Sequence, residues 1–205
     1  MNPTRYAQWG PLALACALAV LMAVRIAHFA AAPDATLIGV IPDDAFYYMQ
    51  MARHWADQGK WTFDGQAPAT GFHLFYGYGL GLLYRMFGDL DWRAMFLVVS
   101  SCAAFVIALS AWLLGRTAMR CWGPFGAALV VAPLFSSACL TQATAMMESW
   151  LVLLMAALLI AQLAEPHAPK WSTMALLLGT GMAGSLARSD FGMLPGGLML
   201  AGVVF

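Results

Sequence analysis

The side chains in this sequence that could perform acid–base or anion chemistry stand beside its long apolar runs. Asp43 and Asp44 are adjacent in "IPDDAFYYMQMARHW", and His73 lies in "GFHLFYGYGL". Glu148 lies in "TAMMESWLVLL", and Arg188 lies in "LARSDFG". A positioned carboxylate can remove a proton from a hydroxyl, and a guanidinium can bind a phosphate through paired hydrogen bonds. Ionisable groups at a membrane boundary are costly unless they are paired or hydrated, so these residues are candidates for a functional site.

Several of these candidates also have a structural explanation that requires no ligand. A Pro-Asp pair before an apolar periodic segment marks a helix start, so Asp43 or Asp44 could cap a helix over 45–58. One cap needs only one carboxylate, which leaves the second unexplained. Glu148 could serve only to favour the positive end of the helix that follows it. Both explanations stay open at the level of the sequence.

The composition indicates an integral membrane protein. The 205 residues include ten Asp and Glu and ten Lys and Arg, and 62% of the chain is hydrophobic. This charged fraction is far below the roughly one quarter that is usual in soluble domains. Six apolar runs approach the length that crosses a bilayer, namely 10–32, 94–115, 124–140, 149–164, 171–187 and 191–205. The predicted fold class is all-α, a polytopic membrane protein with about six transmembrane helices that form one module over 1–205.

Three further features of the sequence limit the classes of protein and of site that are compatible with it. The formal net charge is zero, so neither a nucleic-acid surface nor an acidic tail is indicated. The four cysteines lack C-x-x-C spacing, which argues against a zinc site or a disulfide framework; they are Cys16, Cys102, Cys121 and Cys139. The last apolar run is shorter than a spanning helix, so we expect the chain to be the front part of a longer protein.

The apolar stretch 71–88 decides which side of the membrane the candidate residues face. If it spanned, Arg116 and Arg120 would lie opposite the N-terminal Arg5. If it only dips into the interface, four basic residues fall together on the cytoplasmic side, as the positive-inside rule prefers; these are Arg5, Arg116, Arg120 and Lys170. We therefore predict an interfacial or re-entrant helix within a first outer loop, 33–93, and candidate residues on the outer face.

The N-terminal run permits a second interpretation. Arg5, the apolar run and "AAAPDA" together imitate a secretory signal peptide with a small-residue cleavage site. The run is long enough to span, however, and Arg25 interrupts the apolar region of such a signal, so we predict a retained helix. Arg25 and His28 are then expected to extend to the outer headgroups. Asp43 lies outside in either case.

The stretch "PDDAFYYMQMARHWADQGKWTFDGQAPATGFH" resembles the first outer loop of GT-C glycosyltransferases, the multi-span enzymes that use lipid-phosphate-linked sugars. The group includes protein O-mannosyltransferases, aminoarabinose transferases and arabinofuranosyltransferases. "TAMMESWL" is similar to the Met-Glu segment of that group, and "GFHLFYGYGL" is similar to its Gly-Phe-His segment. The resemblance covers the front half of the family's fold. It implies transfer of a sugar from a polyprenyl-phosphate donor to an acceptor hydroxyl, with inversion, at the outer face of a bacterial inner membrane.

The resemblance also implies roles for individual residues. Asp43 aligns with the general base, Asp44 would cap the helix, shape the site or hold a metal, and Glu148 would orient the acceptor or share that metal. Whether a divalent metal is used stays open, with Asp44 and Glu148 as its candidate ligands. Candidate substrate-binding residues are Tyr47, Arg53, Lys60, His73, Arg188 and Asp190. The implied partners are the lipid-linked donor, membrane lipid and a glycan, lipid or protein acceptor, with no nucleic acid.

Two other classes of function remain compatible with the sequence. A multi-span transporter or channel could use the carboxylates to bind a cation or relay protons, although such groups are expected near the middle of the bilayer. A non-catalytic membrane scaffold is the third possibility.

Overall fold

The computed structural model of the chain describes residues 3–70, 73–88, 90–164 and 171–188. These residues form α-helices, joined by short turns, one 3₁₀ turn and an isolated bridge between Thr62 and Pro68. The helices are α1 (Pro3–Ala30), α2 (Asp34–Ile38), α3 (Asp43–Gln58), α4 (Leu74–Phe87), α5 (Trp92–Val131), α6 (Ser137–Gln142), α7 (Ser149–Leu163) and α8 (Trp171–Ala187). The predicted all-α fold class is confirmed.

The first arm of α5 packs antiparallel along α1. At one end, Arg93 donates hydrogen bonds to the carbonyl oxygens of Ala30 and Ala32, at 2.8 Å each, and pairs with Asp34. At the other end, a Cβ added to Gly10 would lie 3.4 Å from the side chain of Met119. The segment between α1 and α5 therefore begins and ends at the same end of this helix pair.

The chain reverses direction inside α5. Gly123 has φ 73° and ψ −167°, a conformation that is essentially restricted to glycine, and Pro124 starts the second arm. A Cβ added to Gly115 would lie 3.1 Å from the Val131 side chain. In a straight helix these two residues would be about 24 Å apart, so the second arm folds back along the first. The structure therefore has the predicted break between the second span, 94–115, and the third span, 124–140.

The third predicted span, 124–140, is not one continuous helix. Its second half consists of a 3₁₀ turn over Ala132–Phe135 followed by α6. Pro133 lacks the N–H that would continue the α-helix, and Ser136 begins a new helix by accepting a hydrogen bond from the N–H of Cys139 at 3.3 Å. The expectation of an unbroken helix over this range is wrong.

Two segments are long and apolar enough to cross a membrane among the described residues, Trp9–Ala30 and Trp92–Phe135. The predicted spans 149–164 and 171–187 correspond to α7 and α8, which have 15 and 17 residues. The run 191–205 lies outside the described residues. The structure thus confirms helices of membrane-spanning length for some, and not all, of the six predicted spans.

Helices α3 and α4 form a pair that covers one end of this bundle. α3 confirms the helix predicted over 45–58, although it begins two residues earlier. The backbone of Gly81 in α4 approaches the ring of Trp55 so closely that an added Cβ would lie 2.3 Å from its Cε3 atom. α4 has 14 residues, or about 21 Å, which is shorter than the roughly 30 Å hydrocarbon core.

Candidate active site

Glu148 lies at the centre of the polar residues that the fold brings together. It occupies the N-cap position of α7 but its carboxylate does not cap that helix, and the residue is only 2% exposed. Its Oε1 atom lies 3.4 Å from Nε2 of His73 and 3.9 Å from Nη1 of Arg188. Its Oε2 atom is buried and has no hydrogen-bond partner among the described residues. A buried carboxylate with one oxygen left over is costly, so a purely structural role explains it poorly.

Three separate segments supply this cluster. His73 is the N-cap residue of α4 in an extended conformation, Glu148 starts α7, and Arg188 directly follows α8. The start of α7 and the end of α8 therefore meet at the end of the bundle that carries α3 and α4. The sequence predicted that His73, Glu148 and Arg188 share one face, and the structure places both His73 and Arg188 beside the Glu148 carboxylate.

Asp44 lines a cavity of about 380 Å³ that reaches the cluster through His73. Tyr48, His73 and Met147 line the same cavity. The backbone N–H of His73 donates to the Tyr48 hydroxyl at 2.9 Å, and the two rings stack with their centroids 6.2 Å apart. Asp44 and Tyr48 are four residues apart on α3, so both project from one face of the helix.

Asp43 projects elsewhere. It lines a separate cavity of about 620 Å³ together with Gln50, Arg53 and Asp91. The rings of Tyr47 and Phe63, 4.8 Å apart, line both cavities and form the wall between them. The sequence led us to expect Asp43, Glu148 and Arg188 around one cavity. Asp43 instead lines the separate cavity, and Asp44 lines the one that His73 and Met147 share.

The expected capping role of Asp44 is also wrong. Pro42 is the N-cap residue of α3, and it is Asp43 whose Oδ1 accepts the backbone N–H of Asp44, at 3.1 Å. The two carboxylates follow the cap as the first two helical residues, where negative charge favours the helix dipole.

Two buried tyrosines frame the cluster, and the sequence analysis assigned a role to neither. Burial raises the pKa of Tyr48, and the negative charges of Glu148 and Asp44 raise it further, against the opposing hydrogen bond from His73. Burial, followed by the charge of Glu148, raises the pKa of Tyr76 well above its usual value of 10.0. Both hydroxyls therefore remain protonated near neutral pH. The i, i+4 spacing of Asp44 and Tyr48 was the signal that could have identified Tyr48.

The segment before Glu148 is fixed from two sides. The Arg25 guanidinium donates to the hydroxyls of Thr141 and Thr144, each at 3.2 Å. The Tyr76 hydroxyl donates to the carbonyl oxygen of Met146. Arg25 was expected to extend to lipid headgroups; it instead binds this segment, because the chain at 141–144 packs beside α1.

Among the remaining predicted substrate-binding residues, Arg53 and Lys60 lie away from the cluster. Arg53 is in the Asp43 cavity and is 4.0 Å from Asp57. Lys60 is exposed and follows the far end of α3, which places it about 20 Å from Asp44 along the helix. Tyr47 is in the wall between the cavities. Asp190 lies outside the described residues.

The described residues fit a metal ion poorly. Within the described ranges, no three His, Cys, Asp or Glu side chains lie close enough together to hold one. Glu148, one of the two candidate ligands, already has a guanidinium beside it. A divalent cation would have to compete with that charge, and it would find no third ligand among the described side chains.

An apolar groove of about 600 Å³ adjoins the cluster. It runs between α4, α5, α7 and α8, and its lining includes Tyr76, Leu80, Val99, Trp150 and Leu186. Tyr76 belongs both to this groove and to the frame around Glu148. The groove is therefore adjacent to the polar end of the bundle at Tyr76.

In comparisons with known proteins, no family model, no curated protein and no solved structure matches this chain.

Proposed function

We propose that the chain is a membrane-embedded glycosyltransferase of the GT-C type that transfers a sugar from a polyprenyl-phosphate donor to an acceptor hydroxyl. The proposal includes about six membrane crossings, with the end that carries α3 and α4 on the outer face of a bacterial inner membrane. The observation that carries it is the buried carboxylate of Glu148, held between His73 and Arg188 with one oxygen unpartnered among the described residues.

The geometry supports Asp44 rather than Asp43 as the general base, because Asp44 lines the cavity that adjoins Glu148. The carboxylate of Asp44 accepts the proton of the acceptor hydroxyl, and the hydroxyl oxygen attacks the anomeric carbon of the donor. The bond from that carbon to the phosphate oxygen breaks, and polyprenyl phosphate leaves with the electron pair. Attack opposite the leaving group inverts the anomeric centre.

Arg188 is placed to hold the departing phosphate. Its side chain is 44% exposed and its Nη1 atom lies 3.9 Å from Oε1 of Glu148, so the guanidinium lies between the buried carboxylate and the surface. Charge-assisted hydrogen bonds from arginine to phosphate are about twice as strong as neutral ones. Glu148 orients this guanidinium through Oε1, and its Oε2 accepts a hydrogen bond from the bound acceptor.

The apolar groove suits the donor's lipid tail. Its lining is almost entirely hydrocarbon and aromatic, and it includes Tyr76, which is close enough to Glu148 for that charge to raise the pKa of the tyrosine. A polyprenyl chain in the groove would leave its phosphate within the polar cluster. Burial of such a chain contributes about 0.8 kcal/mol for each methylene group removed from water.

The test is release of polyprenyl phosphate from a polyprenyl-phosphate sugar by the purified chain in lipid nanodiscs. We expect wild-type protein to release it and Glu148→Gln to lower the rate by about two orders of magnitude, because a misplaced cation and acceptor cost on the order of 10² in rate. Asp57→Asn is the matched control, since Asp57 is an exposed carboxylate on α3.

Two results would count against the proposal. Wild-type protein that releases no polyprenyl phosphate, with or without added acceptors, would contradict glycosyl transfer. Ion flux through wild-type vesicles that Glu148→Gln abolishes would favour a transporter or channel instead.

A further inference from the structure

The backbone immediately before Glu148 is held in an unfavourable conformation. Met146 has φ 53°, in the left-handed region, and it is the one residue other than glycine with positive φ in the described chain. A side chain at such a position costs of order 1 kcal/mol or more, so surrounding contacts must maintain it. Met146 is 1% exposed, which means that its side chain is packed in the core rather than relaxed at the surface.

Tyr76 provides that contact. Its hydroxyl donates a hydrogen bond to the Met146 carbonyl oxygen across 70 positions of the sequence, which joins α4 to the turn before α7. The tyrosine ring is fixed in its turn, edge-to-face against Tyr48 at 5.3 Å and Trp150 at 6.3 Å. Tyr76 is only 3% exposed, so this hydrogen bond does not compete with water.

The same turn sets the direction of Glu148. Only Met147 separates the left-handed residue from Glu148, so a change of the Met146 dihedral angles would rotate the carboxylate away from His73 and Arg188. Arg25 binds only the beginning of the segment before Glu148, through Thr141 and Thr144. The end of that segment is bound by Tyr76. The distance of 3.4 Å between Glu148 Oε1 and His73 Nε2 thus depends on a hydrogen bond that involves neither residue.

We infer that Tyr76 is a positioning residue that maintains the left-handed turn at Met146 and thereby presents the Glu148 carboxylate to His73 and Arg188. The protonated state of the hydroxyl, favoured by its burial and by the charge of Glu148, is the state that can donate this hydrogen bond. The geometric part of the inference is independent of the reaction. Its consequence for turnover rests on the proposed transferase function.

The inference predicts a specific pattern of rescue. Tyr76→Phe removes the hydrogen bond and keeps the ring, so Met146 should relax and Glu148 should turn away from His73. Adding Met146→Gly should restore the turn, because glycine adopts positive φ without the cost that a Cβ brings. Adding Met146→Ala should not restore it, because alanine loses the same side chain but keeps the Cβ. Comparison of the glycine and alanine variants therefore distinguishes the effect of greater backbone freedom at position 146 from the effect of losing the methionine side chain.

The primary measurement is the ¹⁵N chemical shift of the His73 ring nitrogens in histidine-labelled protein, assigned by His73→Gln. We expect the His73 signals to move in Tyr76→Phe, to return in Tyr76→Phe/Met146→Gly, and to stay displaced in Tyr76→Phe/Met146→Ala. Tyr84→Phe, a second buried tyrosine of α4, should leave them unchanged. In the release assay, kcat should fall between about 10-fold and 100-fold in Tyr76→Phe with KM nearly constant, and it should recover with the glycine.

Each alternative outcome has a distinct meaning. Unchanged His73 signals in Tyr76→Phe would overturn the inference, as would equal rescue by glycine and alanine. If Tyr76→Phe does not fold but Tyr76→Phe/Met146→Gly does, the inference is still supported. If neither protein folds, the inference is overturned. The expected His73 pattern in a wild-type protein without transfer activity would sustain the positioning role while the proposed function fails.

Discussion

At the scale of single residues, the two adjacent carboxylates can be told apart. Asp44 lines the cavity beside His73, whereas Asp43 lines the cavity beyond the Tyr47–Phe63 wall. Successive side chains on an α-helix differ in direction by about 100°, which is enough to place neighbours in different sites. Sequence similarity alone favoured Asp43, because a motif aligns positions and does not give the rotation of a helix.

We predict that Asp44→Asn lowers turnover by about 10²-fold or more, whereas Asp43→Asn retains most of it. Asparagine keeps the shape of aspartate and removes the base, and both residues lie in the first turn of α3, so the two variants are matched controls for each other. The measurement is the initial rate of polyprenyl phosphate release, with thermal unfolding to verify that both proteins fold. The opposite ranking of the two variants would restore Asp43 as the base.

At the scale of elements, the close contact between α3 and α4 positions the Tyr48–His73 pair. Gly81 permits this contact, because any larger residue would meet the Trp55 ring. Arg85 of α4 also stacks on that ring, with its guanidinium carbon 4.0 Å from the ring centroid. The helix pair is therefore a packed unit and not two independent interfacial helices.

Gly81→Ala should destabilise the chain by about 1–3 kcal/mol, because an extra methyl group in a packed contact forces the helices apart. Gly79→Ala is the matched control, since an added Cβ there meets nothing within 4 Å. It should be neutral or stabilise by about 0.5–1 kcal/mol, because alanine favours the helix. Denaturant unfolding in detergent, followed by tryptophan fluorescence, measures both. Equal stability of the two variants would show that the helices can separate without cost.

At the scale of the whole molecule, polar residues are divided between the two ends of the bundle. Asp34, Asp44 and Glu148 lie at the end where α1 finishes and α7 starts, whereas Arg116 and Arg120 lie near the reversal at Gly123. The proposed insertion puts the end with Arg116 and Arg120 in the cytoplasm, although the opposite end also carries arginines that bind other parts of the chain, such as Arg25 and Arg93. The same orientation would place the candidate site outside.

This orientation predicts different access to two cysteines. Cys121 is exposed near the reversal, and Phe63, with 47% exposure, lies at the opposite end of the bundle. In variants with a single cysteine, a maleimide that cannot cross membranes should label Phe63→Cys in intact cells and Cys121 only after permeabilisation. Labelling of Cys121 in intact cells would place the candidate site in the cytoplasm and would exclude transfer at the outer face.

The sequence by itself determined the features of the fold that depend on local chemistry. Apolar runs without charge predicted helices, and the Pro-Asp start of α3 was correct to within two residues, because periodicity and proline act over a few neighbouring positions. The break before Pro124 was also predicted, since glycine and proline adopt the dihedral angles of a reversal. The break at Ser136 was not predicted, because a single N-cap serine within an apolar run is a weak signal for a new helix.

Only the tertiary structure decided how the candidate site is assembled. The sequence identified His73, Glu148 and Arg188 by their types, but their contacts require α4, α7 and α8 to meet end to end. The choice of Asp44 over Asp43 depends on the rotation of α3, which its packing on α4 fixes. Tyr76 had no signal in the sequence, because the hydrogen bond that gives it a role joins it to a backbone carbonyl 70 residues away. Such a contact is a property of packing and not of residue type.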